Sequence, residues 1–285
     1  MCSTCGCSDD AGVRVIDPDA PPHVHSHDDE HGHGHGHGHG HGHDHDHDHD
    51  HDHDHDHDHE QDAAAAQTIL LEQRVLAKND LLAVQNREWL SERDILAVNV
   101  MSSPGSGKTT LLVRTIRELA ARLPISVIEG DQETLLDAER IRETGCRVVQ
   151  INTGAGCHLD ASMLASGLKT LGPPNSSVVL VENVGNLVCP ALFDLGEHSR
   201  VAVMSVTEGA DKPLKYPHLF RSADLVVVNK LDLLPYVDFD LMKFAAYARQ
   251  VQPGVEILHL SATTGEGVEG WYDWLRNRRA VLTST

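Results

Sequence analysis

Residues 102–110, SSPGSGKTT, follow an apolar stretch, ILAVNVMS (95–102), and lead into an amphipathic one. Few folds can use that succession. A buried strand has to stop at a tight glycine turn, and a helix has to start there with its unpaired N–H groups converging. Such a point suits phosphate. Backbone N–H groups of Gly105, Ser106 and Gly107 would wrap the phosphates, and Lys108 would reach the β- and γ-phosphates. The Thr109 hydroxyl would bind Mg2+, and Thr110 completes the nucleotide-contacting set. The general pattern G-x-x-x-x-G-K-[ST] asks for glycine at 102, where this chain has Ser102. Serine serves there if the residue needs no positive φ.

Beyond this loop, short apolar runs alternate with amphipathic segments. Strands are expected at 95–102, 125–130, 147–152, 177–183, 200–206, 224–230 and 255–261. Several are near-continuous apolar runs, the pattern of strands buried on both faces. Leu112, Ile116, Leu119 and Leu123 recur at helical spacing. The expectation is an α/β, P-loop NTPase domain with a mostly parallel sheet flanked by helices and a ligand at the carboxyl ends of the strands. A helical pattern over about 63–92 predicts one or two leading helices.

NKLD (229–232) ends the run DLVVV and fits the N-K-x-D guanine-recognition pattern. Asp232 would accept two hydrogen bonds from guanine N1–H and the exocyclic amine, donors that adenine lacks. Asn229 would contact O6/N7, the Lys230 stem would cover the base, and Ser261 and Ala262 would hold O6. The nucleotide is therefore expected to be GTP. Asp131 is placed to reach Mg2+ directly or through water, and Glu182 to orient the attacking water or hold a Mg2+ water. The alternative for either acid is a helix N-cap or a solvated loop residue. With no glutamine or arginine marked as an accelerator, slow turnover is expected.

Composition divides the chain in two. Residues 1–62 hold 17 acidic side chains and one arginine; the remainder holds 26 acidic and 22 basic. The body has no basic excess, so nothing points to nucleic acid. No stretch reaches the roughly 18 apolar residues needed to span a bilayer, and MCSTCGCSDD lacks the features of a secretory signal. A cytoplasmic protein is expected, in which cysteines are more often metal ligands or thiols than disulfides. Region 1–62 reads as a disordered metal-binding extension, with a thiol motif at 2–7 and a His-rich run at 23–59, and 63–285 as the P-loop GTPase domain.

Three groups of residues have metal-ligand chemistry. Cys157 and His158, at the start of an expected helix, could join Cys189 in a site with thiolate and imidazole donors suited to Zn2+ or Ni2+. Spacing alone equally allows two structural cysteines and an unrelated histidine. Cys2, Cys5 and Cys7 lie within six residues; their mixed N/S donors, with the Cys2 amine once Met1 is removed, suit Ni2+. In the run, His31, His33, His35, His37, His39, His41, His43, His45, His47, His49, His51, His53, His55, His57 and His59 stand at every second position. Neutral imidazoles on a flexible chain would wrap several divalent ions with little selectivity; the rival reading is a solvating polyampholyte. Cys146 reads as structural.

MCSTCGC, the His-rich insert, SSPGSGKTTLL, EGDQET, NTGAGCHLD, ENVGNLVCP, TEGADKPLKYP and NKLDLLPY together resemble the HypB family of hydrogenase nickel incorporation proteins. The resemblance implies a SIMIBI-class P-loop GTPase that dimerises with nucleotide. It would deliver Ni2+ to the [NiFe] hydrogenase large-subunit precursor, with the small zinc-containing nickel chaperone HypA as companion. Ser102 agrees with that family, whose metal site maps onto Cys157, His158 and Cys189 and whose thiol motif maps onto Cys2, Cys5 and Cys7. A urease accessory GTPase would place histidine after Cys189-Pro190, where Ala191 stands, and a zinc-chaperone GTPase would carry Cys-x-Cys-Cys. A nickel or zinc storage protein with an incidental GTPase is the rival of a different class.

Overall fold

The computed structural model describes residues 13–17, 57–131, 136–154 and 156–282, with side chains described from residue 73 onward within the first helix. The chain forms two compact units, residues 1–18 with 75–285 and residues 19–74. Of the second, the described part is helical backbone.

In chain order the elements begin with β1 (Arg14–Ile16), α1 (His57–Ser91), β2 (Leu96–Ser102), α2 (Lys108–Leu119) and β3 (Ile125–Asp131). Next come α3 (Leu136–Arg142), β4 (Arg147–Asn152), α4 (Ala161–Leu171), β5 (Val178–Glu182), α5 (Cys189–Leu192) and β6 (Ser199–Ser205). The order closes with α6 (Lys212–Lys215), α7 (Pro217–Ser222), β7 (Leu225–Asn229), a 3-10 turn (Leu231–Tyr236), α8 (Leu241–Val251), β8 (Glu256–His259) and α9 (Val268–Leu282). The strands make one sheet in the order β1-β4-β3-β5-β2-β6-β7-β8. All neighbours are parallel except β1 on β4.

Parallel pairing follows from the helical crossovers, and helices on both faces explain the apolar runs. Alternate residues of β2 point opposite ways. Leu96, Val98 and Val100 pack with Leu112 and Ile116 of α2 and Trp271 of α9. On the other face, Ala97 packs with Leu90 of α1 and Leu164 of α4, and Met101 with Phe220 and Phe244. No helix among the described residues is long and apolar enough to cross a membrane.

Two expectations needed correction. Residues 14–16, read as part of a disordered extension, form an edge strand with Val15 opposite Ile151. The leading helical pattern is one helix beginning at His57, not Ala63, so His57 and His59 have helical backbone where a flexible chain was expected. The chain crosses β2 between β5 and β6, so strand order reverses there. Connections on either side of such a point leave a crevice at the carboxyl ends, and the glycine loop lies in it.

Candidate nucleotide and metal site

Ser102 closes β2 inside the core, fully buried, and its φ is not positive. Its hydroxyl donates to the Ser103 carbonyl (2.6 Å) and accepts from the Lys108 ammonium (2.7 Å). The side chain that departs from the general pattern therefore parks the loop lysine. Positive φ falls on Gly105 (74°) and Gly107 (96°). A Cβ at Gly107 would stand 2.5 Å from Asn229 Nδ2, so even alanine would push the two loops apart.

That contact belongs to a fastening between the two motifs. Asn229, at the end of β7, donates from Nδ2 to the Ser106 carbonyl (2.9 Å) and accepts at Oδ1 from the Ala262 N–H (2.9 Å). Lys230, held at a left-handed φ of 64°, stretches its ammonium to the Gly105 carbonyl (2.7 Å). The Ser261 hydroxyl donates to Asp232 Oδ1 (2.5 Å). Residues 102–110, 229–232 and 261–262, far apart in sequence, thus form one rim. Thr110 faces α3, accepting from Arg140 Nη2 (3.2 Å).

Beneath the glycine loop lies a buried acidic cluster. Thr109 donates its hydroxyl to Glu182 Oε1 (2.7 Å). Glu182 ends β5, and its register partner on β3 is Glu129. Both carboxyls are almost wholly buried, and each leaves Oε2 without a hydrogen-bond partner. Burial, reinforced by Glu182 and Asp131, pushes the Glu129 carboxyl up to about 9. Burial pushes Glu182 up to about 7, although Lys108 and the Thr109 hydroxyl both pull it down. Burial lowers the Lys108 ammonium, which Glu182 and its acidic neighbours oppose. Orphaned oxygens on paired acids match a hard divalent cation, which takes oxygen ligands and removes the repulsion. Sequence reasoning missed Glu129. The signal was an acid inside an apolar strand, but its meaning depends on its register opposite Glu182.

Across the same edge of the sheet, one ligand atom each from Cys157, His158 and Cys189 lies within 4.8 Å of the others. Cys157 Sγ is 3.7 Å from His158 Nδ1. The imidazole is buried and stacks on Phe193 with centroids 3.9 Å apart. Burial lowers its pKa, which favours the neutral form that ligates metal. Cys157 was expected at a helix start, where the helix dipole would favour its thiolate. Instead α4 begins at Ala161, with Asp160 as N-cap accepting from the Met163 N–H (2.7 Å), so Cys157 sits in the preceding loop without that assistance. Cys189 opens α5, seven residues after Glu182.

Asn183, next to Glu182, ties the cluster to this site. Its Oδ1 accepts from the Leu159 N–H (3.1 Å), one residue beyond His158. Its Nδ2 donates to Asn99 Oδ1 (3.2 Å). Cys146 is buried with its thiol donating to the Ile125 carbonyl (3.2 Å), and burial raises it to about 12, as suits a structural residue. Cys2, Cys5, Cys7 and His31 through His55 lie outside the described residues, as do the side chains of His57 and His59.

The family described as CobW/HypB/UreG, nucleotide-binding domain, matches residues 96–259. The hydrogenase maturation factor HypB of Rhizobium leguminosarum bv. viciae is 56% identical over 216 residues, covering 75% of this chain and 72% of that protein. The crystal structure of the hydrogenase maturation factor HypB from Archaeoglobus fulgidus superposes with a TM-score of 0.68 at 44% identity, covering 72% of this chain and 100% of that one. HypB from Helicobacter pylori, solved in complex with nickel, gives 0.67 at 35% identity, covering 71% and 95%.

Proposed function

Because this chain belongs to the CobW/HypB/UreG family and within it to the HypB hydrogenase maturation factors, we propose that it is a GTP-hydrolysing nickel metallochaperone. It would store Ni2+ and insert it into the [NiFe] hydrogenase large-subunit precursor. The observation that carries this reading is the position of the thiolate–imidazole tripod. Cys189 shares the 182–189 segment with Glu182, which is bonded to the phosphate-loop Thr109.

In this reading Gly105, Ser106, Gly107, Lys108, Thr109 and Thr110 hold the phosphates, while Asn229, Lys230, Asp232, Ser261 and Ala262 hold guanine. Thr109, Asp131 and Glu182, with Glu129 added, would hold Mg2+, for which the orphaned carboxylate oxygens are suited. When bound, Mg2+ offsets negative charge on the β- and γ-phosphate oxygens. Glu182 orients the water, and Lys108 stabilises charge on the transferring group. Loss of the γ-phosphate would then shift the 182–189 segment and alter the tripod that carries the Ni2+ cargo or Zn2+. Cys2, Cys5 and Cys7 form a separate thiolate site for Ni2+, and the histidine run is a reservoir. The chain would act in the cytoplasm as a nucleotide-dependent homodimer, with HypA and the large-subunit precursor as partners.

The acidic cluster gives a pH prediction. Both Glu129 and Glu182 stand above their ordinary value of 4.5, at about 9 and about 7. The folded chain without divalent metal therefore holds protons that the unfolded chain releases. The stability from those protons is fully present below the ordinary carboxyl range and is lost as pH rises through the two raised values. The unfolding midpoint of the metal-free chain is expected to fall between roughly pH 6 and pH 9, and Mg2+ with GDP to flatten that slope. A metal-free midpoint that does not change over this range would count against the cluster as a cation site.

The division of labour is tested in cells lacking the gene. A chain without residues 31–59 should restore hydrogenase maturation in ample nickel and fail when nickel is scarce. Failure at every nickel level would make the run part of delivery itself, and restoration at every level would remove its storage role.

A further inference from the structure

Asn79, Ala83, Asn86 and Leu90 recur on α1 at spacings of four, three and four, and all four are buried. Two of these core positions carry amides, which are costly to bury unless paired. Their partners lie on two segments. Asn86 Nδ2 donates to the Ala161 carbonyl and to the Leu195 carbonyl, each at 2.8 Å. Asn79 Oδ1 accepts from the Ala161 N–H (2.9 Å), and its Nδ2 donates to the Asp194 carbonyl (2.7 Å). Next to Asn86, Arg87 Nη2 reaches both carboxylate oxygens of Asp194 at 2.8 Å. Gly196 lies flat on the helix with φ 87°, and a Cβ there would stand 2.3 Å from the Ala83 carbonyl oxygen.

The bridged segments are the two that carry the tripod. Ala161 stands three residues after His158, and Leu195 six after Cys189. An apolar pair at 79 and 86 would fill the same space; only the amides fix the register of one segment against the other. Register matters because thiolate and imidazole must come within about 2–2.3 Å of a single ion. We propose that Asn79 and Asn86 are positioning residues for the metal tripod, setting the separation of the Cys157–His158 segment from the Cys189 segment. The inference rests on the reading of the tripod as a nickel site.

The test uses the full chain with Cys2, Cys5 and Cys7 changed to serine, so that the Ni2+–thiolate charge-transfer band reports Cys157 and Cys189. Ni2+ is titrated in competition with a chelator, and GDP affinity and thermal unfolding are measured alongside. Asn86→Leu is expected to weaken Ni2+ at that band by about 10–100-fold, the range for residues that orient metal ligands. GDP affinity should stay within about twofold with cooperative unfolding, which separates positioning from general damage. Unchanged Ni2+ affinity in Asn86→Leu overturns the proposal, provided the paired change Cys157→Ser with Cys189→Ser abolishes the band. A band that survives the paired change overturns the tripod itself, and the asparagine assignment with it. If Asn86→Leu does not fold, Asn79→Ser is read by the same criteria. If neither folds, the asparagines are general stability determinants and the proposal falls.

Discussion

Lys108→Ala is expected to lower GTP turnover by roughly 10²–10³-fold, the usual cost of losing one preorganised charge-stabilising donor. Lys108 is held in place by the protein itself, with its ammonium on Ser102 Oγ at 2.7 Å in a nearly closed environment. Such a group needs no reorganisation when negative charge develops on the transferring phosphoryl group. It also opposes the repulsion between Glu182 and Glu129. The tripod lies on other segments, so its Ni2+ affinity in the nucleotide-free variant should stay within about threefold. Hydrogenase maturation should fail while most nickel remains bound. Turnover within tenfold of the parent would remove the lysine from its assigned role, and preserved maturation with lost turnover would favour a storage protein with an incidental GTPase. Single-turnover phosphate release and a complementation assay provide the two readings.

Asp232→Asn should move base preference from guanine to xanthine. The carboxylate is held by the Ser261 hydroxyl at 2.5 Å, on the rim that Asn229 and Ala262 complete. A carboxylate accepts from guanine N1–H and the 2-amino group; an amide offers one acceptor and turns an N–H toward that amine. Two donors then face each other in a partly desolvated site. Discrimination built on hydrogen-bonded partners reaches 10⁴–10⁵, so a GTP affinity loss of about 10²–10⁴ is expected. Xanthine carries a carbonyl where guanine carries the amine, so XTP should bind the variant tightly. Equal affinity of parent and variant for GTP would place the base elsewhere. Parallel titrations with fluorescent GDP and XDP provide the comparison.

The parts of the sheet set by local pattern were legible in the sequence. The runs around ILAVNVMS, RVVQIN and DLVVVN are apolar because both sheet faces are covered, and they became β2, β4 and β7. The three-residue strand Arg14–Ile16 was not legible, because so short a segment becomes a strand only by pairing with β4. Helix starts were harder to locate than helices. Asp160 precedes the apolar stripe of α4 and caps it, three residues beyond the Cys157 at which the helix was expected to start. Glu129 looked like an ordinary strand residue until its register with Glu182 placed two buried carboxyls together. Asn79 and Asn86 interrupt an apolar stripe, and their partners lie more than 70 residues away, beyond what spacing on one helix can reveal. Cys157, His158 and Cys189 were grouped by chemistry; the fold adds that their ligand atoms lie within 4.8 Å of one another.

The central claim is that nucleotide state and nickel are linked through the segment joining Glu182 to Cys189. The most direct measurement is the Ni2+ affinity of the thiolate band in the chain with Cys2, Cys5 and Cys7 changed to serine. It is compared between GDP with Mg2+ and a non-hydrolysable GTP analogue with Mg2+. Coupling between two sites typically changes affinity by about 5–150-fold, and a difference of at least about fivefold is predicted here. Affinities that agree within twofold would contradict the account, leaving a GTPase and a metal site that share a fold without acting on each other.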